Sequence, residues 1–149
     1  MIRNLRTIAV SALLGVPAFA SAAMPVIDVF KSETCGCCEA WIKHLRSNGF
    51  QVTAHNVANP SDFREKAGIP NSLGSCHTAR IGKYAIEGHV SASDIKRLVD
   101  SNVQARGLAV PAMPAGSPGM EAARSDPYDV YLVQIDGRSV VYKHYNGKT

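Results

Sequence analysis

The stretch MPVIDVFKSETCGCCEAWIKHLRSNGFQVTAHNV, residues 24–57, decides the fold. Its first residues, up to Phe30, form a short apolar run that is typical of a strand. From about Cys37 to Ser47, apolar residues recur every three or four positions, which predicts a helix with one buried face that ends at Asn48-Gly49. Residues 50–57 alternate apolar and polar side chains as a second strand. A strand, a helix and a strand of these lengths predict a right-handed βαβ unit.

The patterns that follow this unit predict a second set of elements. Residues 59–68 predict a short helix with Ser61 as its N-cap. Residues 77–88 predict a hairpin that turns at Gly82-Lys83, and residues 91–101 predict a capped amphipathic helix. The resulting order, βαβα followed by ββα, is that of the thioredoxin fold. We therefore expect a single α/β domain with a thioredoxin-like fold.

The C-terminal part of the sequence adds a loop and a hairpin to this order. Residues 107–119, GLAVPAMPAGSPG, contain three glycines and three prolines. They predict a long Pro/Gly/Met loop without structure of its own, and such loops are usually functional or disordered. Residues 128–145 predict a second, C-terminal β-hairpin around Asp136-Gly137. The sequence has no internal repeat and no sign of a second domain.

The N-terminus has the pattern of a secretory signal peptide. Arg3 and Arg6 precede an apolar run, and Ala20-Ser21-Ala22 fits an A-x-A cleavage site. The run is too short for a membrane-spanning helix, and no later run is long enough to span a bilayer. We therefore assign residues 1–22 to a signal peptide and residues 23–149 to the mature domain, and we expect an exported protein.

The charge balance gives no indication of nucleic-acid binding. Of the 16 basic residues, two lie in the predicted signal peptide, so 14 remain in the mature chain against 12 acidic residues. The sequence has no basic stripe interleaved with aromatic residues, which is the usual footprint of a nucleic-acid-binding protein. We therefore expect no nucleic acid among the partners.

The four cysteines are the residues with the most distinctive chemistry. Cys35, Cys37 and Cys38 lie at the start of the predicted helix, and Cys76 lies beside His77. Exported cysteines are usually oxidised, yet adjacent cysteines rarely reach disulfide geometry and close almost no loop. A C-x-x-C pair on the first helical turn places both sulfurs where unpaired amides and the helix dipole stabilise thiolates. Thiolates serve both disulfide exchange and metal binding, so this pair leaves both chemistries open.

The other two cysteines favour a metal site. A disulfide exchanger needs only two cysteines, and Cys37 beside them would permit wrong pairings. In thioredoxin-like folds, the chain that enters the hairpin after the second helix passes over the C-x-x-C pair, and a cis-proline normally lies there. Here Cys76 takes that place, and the nearest proline, Pro70, comes several residues too early. We therefore expect Cys76 to face the pair and to replace the proline that would guide a peptide substrate.

The sulfur-rich composition of this set favours copper. Thiolate and thioether ligands select soft ions, chiefly Cu(I), with zinc as the main alternative. A C-x-C-C motif with a distant C-H is not the pair of knuckles that forms a structural zinc site. Met113 and Met120 of the predicted loop are either further soft ligands or fillers of gaps in the core. His77 is expected to be a ligand because it adjoins Cys76. The remaining histidines are expected at the solvated surface: His44, His55, His89 and His144.

Four segments of the chain resemble the CopG-type periplasmic copper-resistance proteins, a metal-binding family formerly of unknown function. In order after the signal peptide they are CGCCEAW (35–41), SCHTA (75–79), IEGHV (86–90) and GLAVPAMPAGSPGME (107–121). The resemblance covers nearly the whole mature chain. It implies a thioredoxin-like fold, the Gram-negative periplasm and cysteine-bridged binding of several copper ions. The copper-binding cysteines that it implies are Cys35, Cys37, Cys38 and Cys76. One residue departs from the expected pattern, because Ala112 stands where glycine is expected.

These patterns together predict a periplasmic protein that binds Cu(I) and protects the cell from copper. Sequestration, delivery to a copper exporter or another periplasmic copper protein, and a change in the oxidation state of copper all need the same thiolates, so the sequence leaves these three roles open. The alternative is a periplasmic thiol–disulfide oxidoreductase with Cys35 as nucleophile and Cys38 as resolving thiol. A third hypothesis is a structural protein whose cysteines are only oxidised pairs.

Overall fold

A computed structural model describes residues 24–148, and the predicted signal peptide lies outside the described residues. Within this range the strands are β1 Ile27–Lys31, β2 Val52–Asn56, β3 His77–Ile81, β4 Tyr84–Glu87, β5 Gly107–Ala109, β6 Tyr128–Val133 and β7 Ser139–Tyr145. The helices are α1 Gly36–Ser47, α2 Ser61–Lys66 and α3 Ala92–Ser101, with a 3₁₀ turn at Asn71–Leu73. No helix in residues 24–148 is long and apolar enough to cross a membrane.

The strands form one mixed sheet in the order β2-β1-β3-β4-β5-β6-β7. Neighbouring strands are parallel in the pairs β1/β2 and β4/β5 and antiparallel in the others. Helix α1 connects β1 to β2, so the predicted βαβ unit is present. The elements α2, β3, β4 and α3 follow in the predicted order. The described chain is therefore a single α/β domain.

Helix α1 is fixed by the apolar face that its periodicity predicts. Its inward side chains are fully buried, and all but the first belong to the main core: Cys38, Trp41, Ile42 and Leu45. Burying each large apolar side chain contributes roughly 1.5–3 kcal/mol. Trp41 also donates a hydrogen bond from Nε1 to the carbonyl of Val90 at 2.8 Å. This packing holds the first turn of α1, with its cysteines, beside the end of β1.

The predicted cap of α2 is wrong, whereas the predicted β3–β4 turn is confirmed. Pro60 occupies the N-cap position of α2 and Ser61 is its first helical residue. The fixed φ of proline prepares the chain for the helix one position earlier than expected. The Ser61 hydroxyl donates instead to Oδ1 of Asn59 at 2.6 Å.

In the β3–β4 hairpin, Gly82 adopts a φ of 56°, as its place in the predicted turn requires.

The segment predicted as a structureless loop begins with a strand. Residues 107–109 form β5, which lies between β4 and β6 and is buried along its whole length. So short a strand, covered on both faces, shows no alternation in sequence, and the neighbouring glycines and prolines conceal it. The rest of the predicted loop, from Val110 to Gly119, forms no helix or regular strand, and the irregular chain continues to Pro127. The C-terminal hairpin is confirmed as β6 and β7.

The two faces of the sheet are covered by different helices. On one face, α1 and α3 pack over the main core, to which Trp41 and Ile95 belong. On the other face, the chain around α2 covers a smaller cluster. That cluster is Ile69, Leu73, Ala85, Ala109 and Val133. Because side chains alternate along a strand, the neighbours His77 and Thr78 of β3 point to opposite faces.

Candidate metal centre

Helix α1 and the segment that leads into β3 bring the four cysteines together. Cys76 Sγ lies 3.7 Å from Cys37 Sγ and 3.5 Å from Cys38 Sγ. Cys37 Sγ lies 3.5 Å from Cys35 Sγ. All four sulfurs lie within 4.8 Å of one another. The structure thus places Cys76 beside the C-x-x-C pair, and the assignment of the four as metal ligands stays a prediction.

Two of the four sulfurs are bonded to each other. Cys35 and Cys38 form a disulfide, while Cys37 and Cys76 carry free thiols within residues 24–148. A disulfide sulfur is not a thiolate, and thiolate is the form of cysteine that binds metal ions. A metal site that uses all four sulfurs therefore requires the two-electron reduction of this disulfide.

Two buried histidines lie on either side of the Cys76 sulfur. Nδ1 of His77 lies 3.4 Å from Cys76 Sγ, and Nε2 of His89 lies 3.2 Å from it. The Nδ1 of His89 donates to the carbonyl of Pro118 at 2.8 Å, because a carbonyl can only accept. Nε2 of His89 is therefore the unprotonated nitrogen in the neutral ring, directed at Cys76. Metal-binding histidines are commonly oriented by a backbone carbonyl in this way.

The ring of His77 has Cys76 as its polar contact. Its Nε2 is buried and has no hydrogen-bond partner among residues 24–148. The ring packs against the indole of Trp41, with centroids 4.3 Å apart. This packing fixes the imidazole so that Nδ1 points at the sulfur. The structure therefore brings His77, a predicted ligand, into the cluster.

The surface position predicted for His89 is wrong. His89 follows β4 directly and is fully buried. Gly88 causes this, because it adopts a φ of 69° that turns the chain back toward the sulfur cluster. A Cβ at Gly88 would lie 2.5 Å from the carbonyl oxygen of Val110 and 2.6 Å from Ser75 Cβ. A glycine that interrupts a strand pattern signals such a close approach, and it is the feature of the sequence that could have located His89.

The other three histidines lie outside the cluster. His44 is half-buried rather than solvated, because its Nε2 accepts a hydrogen bond from the backbone N–H of Ala92 at 3.1 Å. This contact satisfies a donor at the start of α3 that no helical carbonyl can reach. The remaining two are partly exposed and pair with carboxylates, as expected for surface residues: His55 with Asp28 and His144 with Asp129.

Burial keeps the donors around Cys76 in their uncharged forms. Burial, aided by the neighbouring His89, lowers the pKa of His77 to about 3. Burial also lowers the pKa of His89. Both imidazoles are therefore neutral near pH 7, which is the form that binds metal ions. Burial, together with the nearby Cys37, raises the pKa of Cys76 to about 12. The Cys76 thiol thus keeps its proton until a cation displaces it.

The loop that follows β5 approaches the cluster through one of its two methionines. Met113 Sδ lies 3.9 Å from Cys37 Sγ, and its side chain is 46% exposed. Met120 makes backbone hydrogen bonds with Gly116 and Ser117. In the part of the chain that the structure describes, no comparable contact links Met120 to the cysteines. Of the two predicted methionine ligands, the structure brings only Met113 into contact with a cysteine.

The same loop is packed closely against α1. A Cβ at Gly119 would lie 2.6 Å from the backbone nitrogen of Trp41 and 2.9 Å from the carbonyl oxygen of Cys37. Gly119 also adopts a φ of 83°, which side chains disfavour. The preceding residue, Pro118, supplies the carbonyl that orients His89. Gly119 therefore allows the loop to pack closely against α1, and Pro118 contacts His89 from the same loop.

A buried carboxylate holds the segment that carries Cys76 and His77. Glu87 is fully buried; its Oε1 accepts from the backbone N–H of Ser75 and its Oε2 from the hydroxyl of Thr78, both at 2.7 Å. The guanidinium of Arg64 lies 3.4 Å from Oε1. Burial raises the pKa of this carboxyl, and these donors oppose the rise. Because Ser75 and Thr78 flank the Cys76-His77 pair, Glu87 holds both of its ends.

The one departure from the expected family pattern has a clear backbone setting. Ala112 adopts a φ of 56°, in the left-handed region that favours glycine. Its N–H donates to the carbonyl of Gly74 at 3.0 Å, and its carbonyl accepts from the hydroxyl of Ser75. These bonds tie the loop to the segment beside Cys76. The expectation of glycine at this position thus follows from the conformation that the loop requires.

Two solved structures similar to this chain are described as copper resistance protein CopG, form 1 and form 2. Each is 46% identical to the chain, with a TM-score of 0.78. The matches cover 83% and 82% of this chain and 99% and 98% of the solved chains. The chain belongs to the CopG copper-resistance family. The resemblance drawn from the four sequence segments is thereby confirmed.

Two further comparisons add to this assignment. A family model described as a protein of unknown function, DUF411, matches residues 73–120. This part of the chain contains Cys76, both histidines of the cluster and Met113. No curated protein matches the chain. The CopG family assignment therefore rests on the two solved structures, whose nearly complete chains are covered.

The side chains that could hold a metal ion in this CopG family member are mostly soft donors. They are the four cysteine sulfurs, the Met113 thioether and two neutral imidazoles. Sulfur donors favour Cu(I), and imidazole suits copper as well as zinc. The arrangement therefore fits the binding of a copper ion once the disulfide is reduced.

Proposed function

We propose that the protein binds Cu(I) in the periplasm, holds more than one ion on its clustered thiolates, and in this way protects the cell from copper. The observation that carries the proposal is the convergence of Cys35, Cys37, Cys38 and Cys76 within 4.8 Å. The description of the solved relatives as copper resistance proteins supports copper as the ion. Copper is the cargo in this proposal.

The number of donors supports binding of several ions. A single tetrahedral ion uses four ligands, whereas the cluster offers four sulfurs, with His77, His89 and Met113 around them. Cys37 Sγ lies close to both Cys35 Sγ and Cys76 Sγ, which supports the proposal that its thiolate bridges two ions. We propose the cysteines as bridging ligands and the other three side chains as terminal ligands.

The fold and location proposed for this function are those of an exported thioredoxin-like protein. The strand order β2-β1-β3-β4, with β1 and β2 parallel and β3 and β4 antiparallel, supports a thioredoxin-like arrangement that β5 to β7 extend. The pattern of residues 1–22 supports export through a signal peptide. An oxidising periplasm also accounts for a cluster that exists in disulfide and thiol forms.

A thiol–disulfide oxidoreductase is the second candidate function. The observation that favours it is the disulfide between Cys35 and Cys38 at the start of α1. Against it, the residue that leads into β3 beside this disulfide is Cys76 and not a proline. The thiol of Cys76 lies 3.5 Å from Cys38 Sγ, at the place proposed for substrate guidance. The Cys76 side chain therefore takes up the space beside the disulfide where a substrate would approach.

The test compares copper binding with disulfide turnover in single cysteine variants. Cys37→Ser and Cys76→Ser should each lose most Cu(I) binding in a competition titration of the reduced protein, and cells carrying them should lose copper tolerance. Wild-type protein should reduce a generic disulfide substrate slowly. Cys35→Ser serves as the reference that removes both activities.

The opposite pattern would establish the oxidoreductase. An exchanger needs only Cys35 and Cys38, so rapid turnover by the wild type that persists in Cys37→Ser and Cys76→Ser would contradict the copper proposal. Circular dichroism of each variant checks that the fold is unchanged.

A further inference from the structure

A second concave site lies on the face of the sheet opposite the sulfur cluster. Its volume is about 490 Å³, within the range of roughly 300–1,000 Å³ that small-molecule sites occupy. Its walls come from β1, α2, the β3–β4 hairpin, the residues just before β5 and the turn between β6 and β7. Thr78 lines it, whereas the preceding residue, His77, faces the cysteines on the other side. Both sites therefore use residues of β3, but they lie on opposite faces of the sheet.

The charge of this pocket is of one sign. Its charged lining residues in the described chain are all basic: Lys66, Arg80, Lys83 and Arg106. None of them pairs with a carboxylate within residues 24–148, although Arg64 on the same helix as Lys66 pairs with Glu87. Asp28 lies across the ladder from Arg80, but its carboxylate contacts His55 instead. A cleft lined by one sign of charge concentrates ions of the opposite sign.

Arg106 is the most constrained of these basic residues. Its backbone lies in the sheet, where its N–H donates to Val133 and its carbonyl accepts from Ala85, both at 2.8 Å. Its Nε is buried and has no hydrogen-bond partner in the chain from residue 24 to residue 148. The guanidinium Nη1 occupies the space that a Cβ at Gly68 would fill. A buried donor without an acceptor is costly, and an anion placed beside it removes that cost.

The remaining wall of the pocket is aromatic. Phe30 stacks on Phe63 with ring centroids 4.0 Å apart and planes 10° from parallel. His55 stacks on Phe30, with centroids 4.9 Å apart. Both phenylalanine rings line the pocket, and Lys66 Nζ lies 5.3 Å from the centroid of Phe63. This wall suits the flat apolar body of a ligand.

We propose that this pocket binds a small organic anion, with an aromatic body against Phe30 and Phe63 and a carboxylate or phosphate group between Arg106 and Lys66. The guanidinium fork of arginine matches the oxygens of both anionic groups. The lining residues come from five separate parts of the chain, and the volume of about 490 Å³ is that of a small-molecule site, which favours a small molecule over an acidic polypeptide.

Phenyl phosphate is a suitable probe, with NMR titration of the backbone amides as the measurement. It should shift the amides of the pocket, and Arg106→Gln and Lys66→Gln should each weaken binding about tenfold, as the loss of a charge-assisted hydrogen bond predicts. The matched control is Lys43→Gln, which removes the same charge from an exposed site on α1 and should leave binding unchanged. Lys66 is exposed, so its variant keeps the test valid if Arg106→Gln fails to fold.

Other probes define the results that would overturn the proposal. Benzyl alcohol, which lacks the charge, should bind much more weakly than phenyl phosphate, and inorganic phosphate should also bind more weakly because it lacks the ring. Equal binding of either one would contradict an organic anion site. An equal loss of phenyl phosphate binding in Lys43→Gln would also contradict the proposal. The same holds if an acidic peptide binds the pocket while phenyl phosphate at millimolar concentration does not.

Discussion

Neighbouring residues of β3 face two sites of opposite character. His77 points toward α1, where the four cysteine sulfurs lie within 4.8 Å of one another and Cys76 lies equally close to two neutral imidazoles. Thr78 points to the other face, where unpaired basic side chains surround an aromatic wall. The first site is soft and uncharged before a metal binds, and the second is cationic. The contrast shows that strand alternation places two surfaces of different chemical character on the opposite faces of one short segment.

The two sites also differ in how they satisfy their buried polar groups. Around Cys76, burial shifts the pKa of each neighbouring histidine downward, so that no uncompensated charge is buried there. Around Arg106 the charge remains, because guanidinium does not lose its proton. A soft cation is therefore the expected ligand on the first face and an anion on the second. A substitution on one face should therefore change the binding of that face's ligand and leave the other ligand's binding unchanged.

Replacement of His89 is expected to have the largest effect among the residues around the cysteines. His89→Gln removes the imidazole that faces Cys76 and should weaken Cu(I) binding by about 10–100-fold, which is typical for groups that support a metal site. Binding of phenyl phosphate on the other face should not change. His55→Gln is the control, since His55 lies at the surface in a pair with Asp28. An equal loss of copper in His55→Gln would show that His89 has no specific role.

The two methionines are expected to differ, with a smaller effect. Met113→Leu should weaken Cu(I) binding a few-fold, because the Met113 thioether lies 3.9 Å from the Cys37 sulfur. Met120→Leu should leave copper binding unchanged. Leucine keeps the apolar volume, so both variants should retain the unfolding temperature of the wild type. A loss of stability without a loss of copper affinity would identify Met113 as a core filler instead.

The smallest expected effect concerns the backbone of the loop. Ala112→Gly should raise the free energy of unfolding by about 0.5–1 kcal/mol, because glycine adopts a positive φ without the strain of a side chain. Urea denaturation measures this change. The control is Ala115→Gly, at a position of the same loop without a positive φ, where glycine should be neutral or destabilising. A lower free energy of unfolding in Ala112→Gly would contradict the claim that the alanine at this position is strained.

Local patterns predicted most of the fold. The four inward residues of α1 recur with helical spacing, and Gly82 marks the β3–β4 turn, so nearby residues alone determine these features. The strand β5 was not predicted, because Gly107–Ala109 is recognisable only through its pairing with β4 and β6. Its burial on both faces removes the alternation from which strands are usually read.

The site was predictable in part for the same reason. Cys35, Cys37 and Cys38 stand out because they lie within four positions, and Cys76 and His77 stand out because they are adjacent and their chemistry is distinctive. His89 was not predicted, because its burial depends on the turn at Gly88 and on Pro118, which lies 29 residues further along the chain. The bond between Cys35 and Cys38 depends on oxidation state, which the sequence does not encode. The loop contact of Met113, but not of Met120, likewise follows from tertiary packing.

The most direct test of the copper account is native mass spectrometry of the fully reduced protein during titration with Cu(I), in competition with zinc. The account predicts that each chain binds more than one Cu(I) ion and that copper displaces any zinc, because Cys37 is placed to bridge ions between Cys35 and Cys76. Saturation at one zinc ion per chain, with copper bound no more tightly, would contradict it and would indicate a structural zinc site.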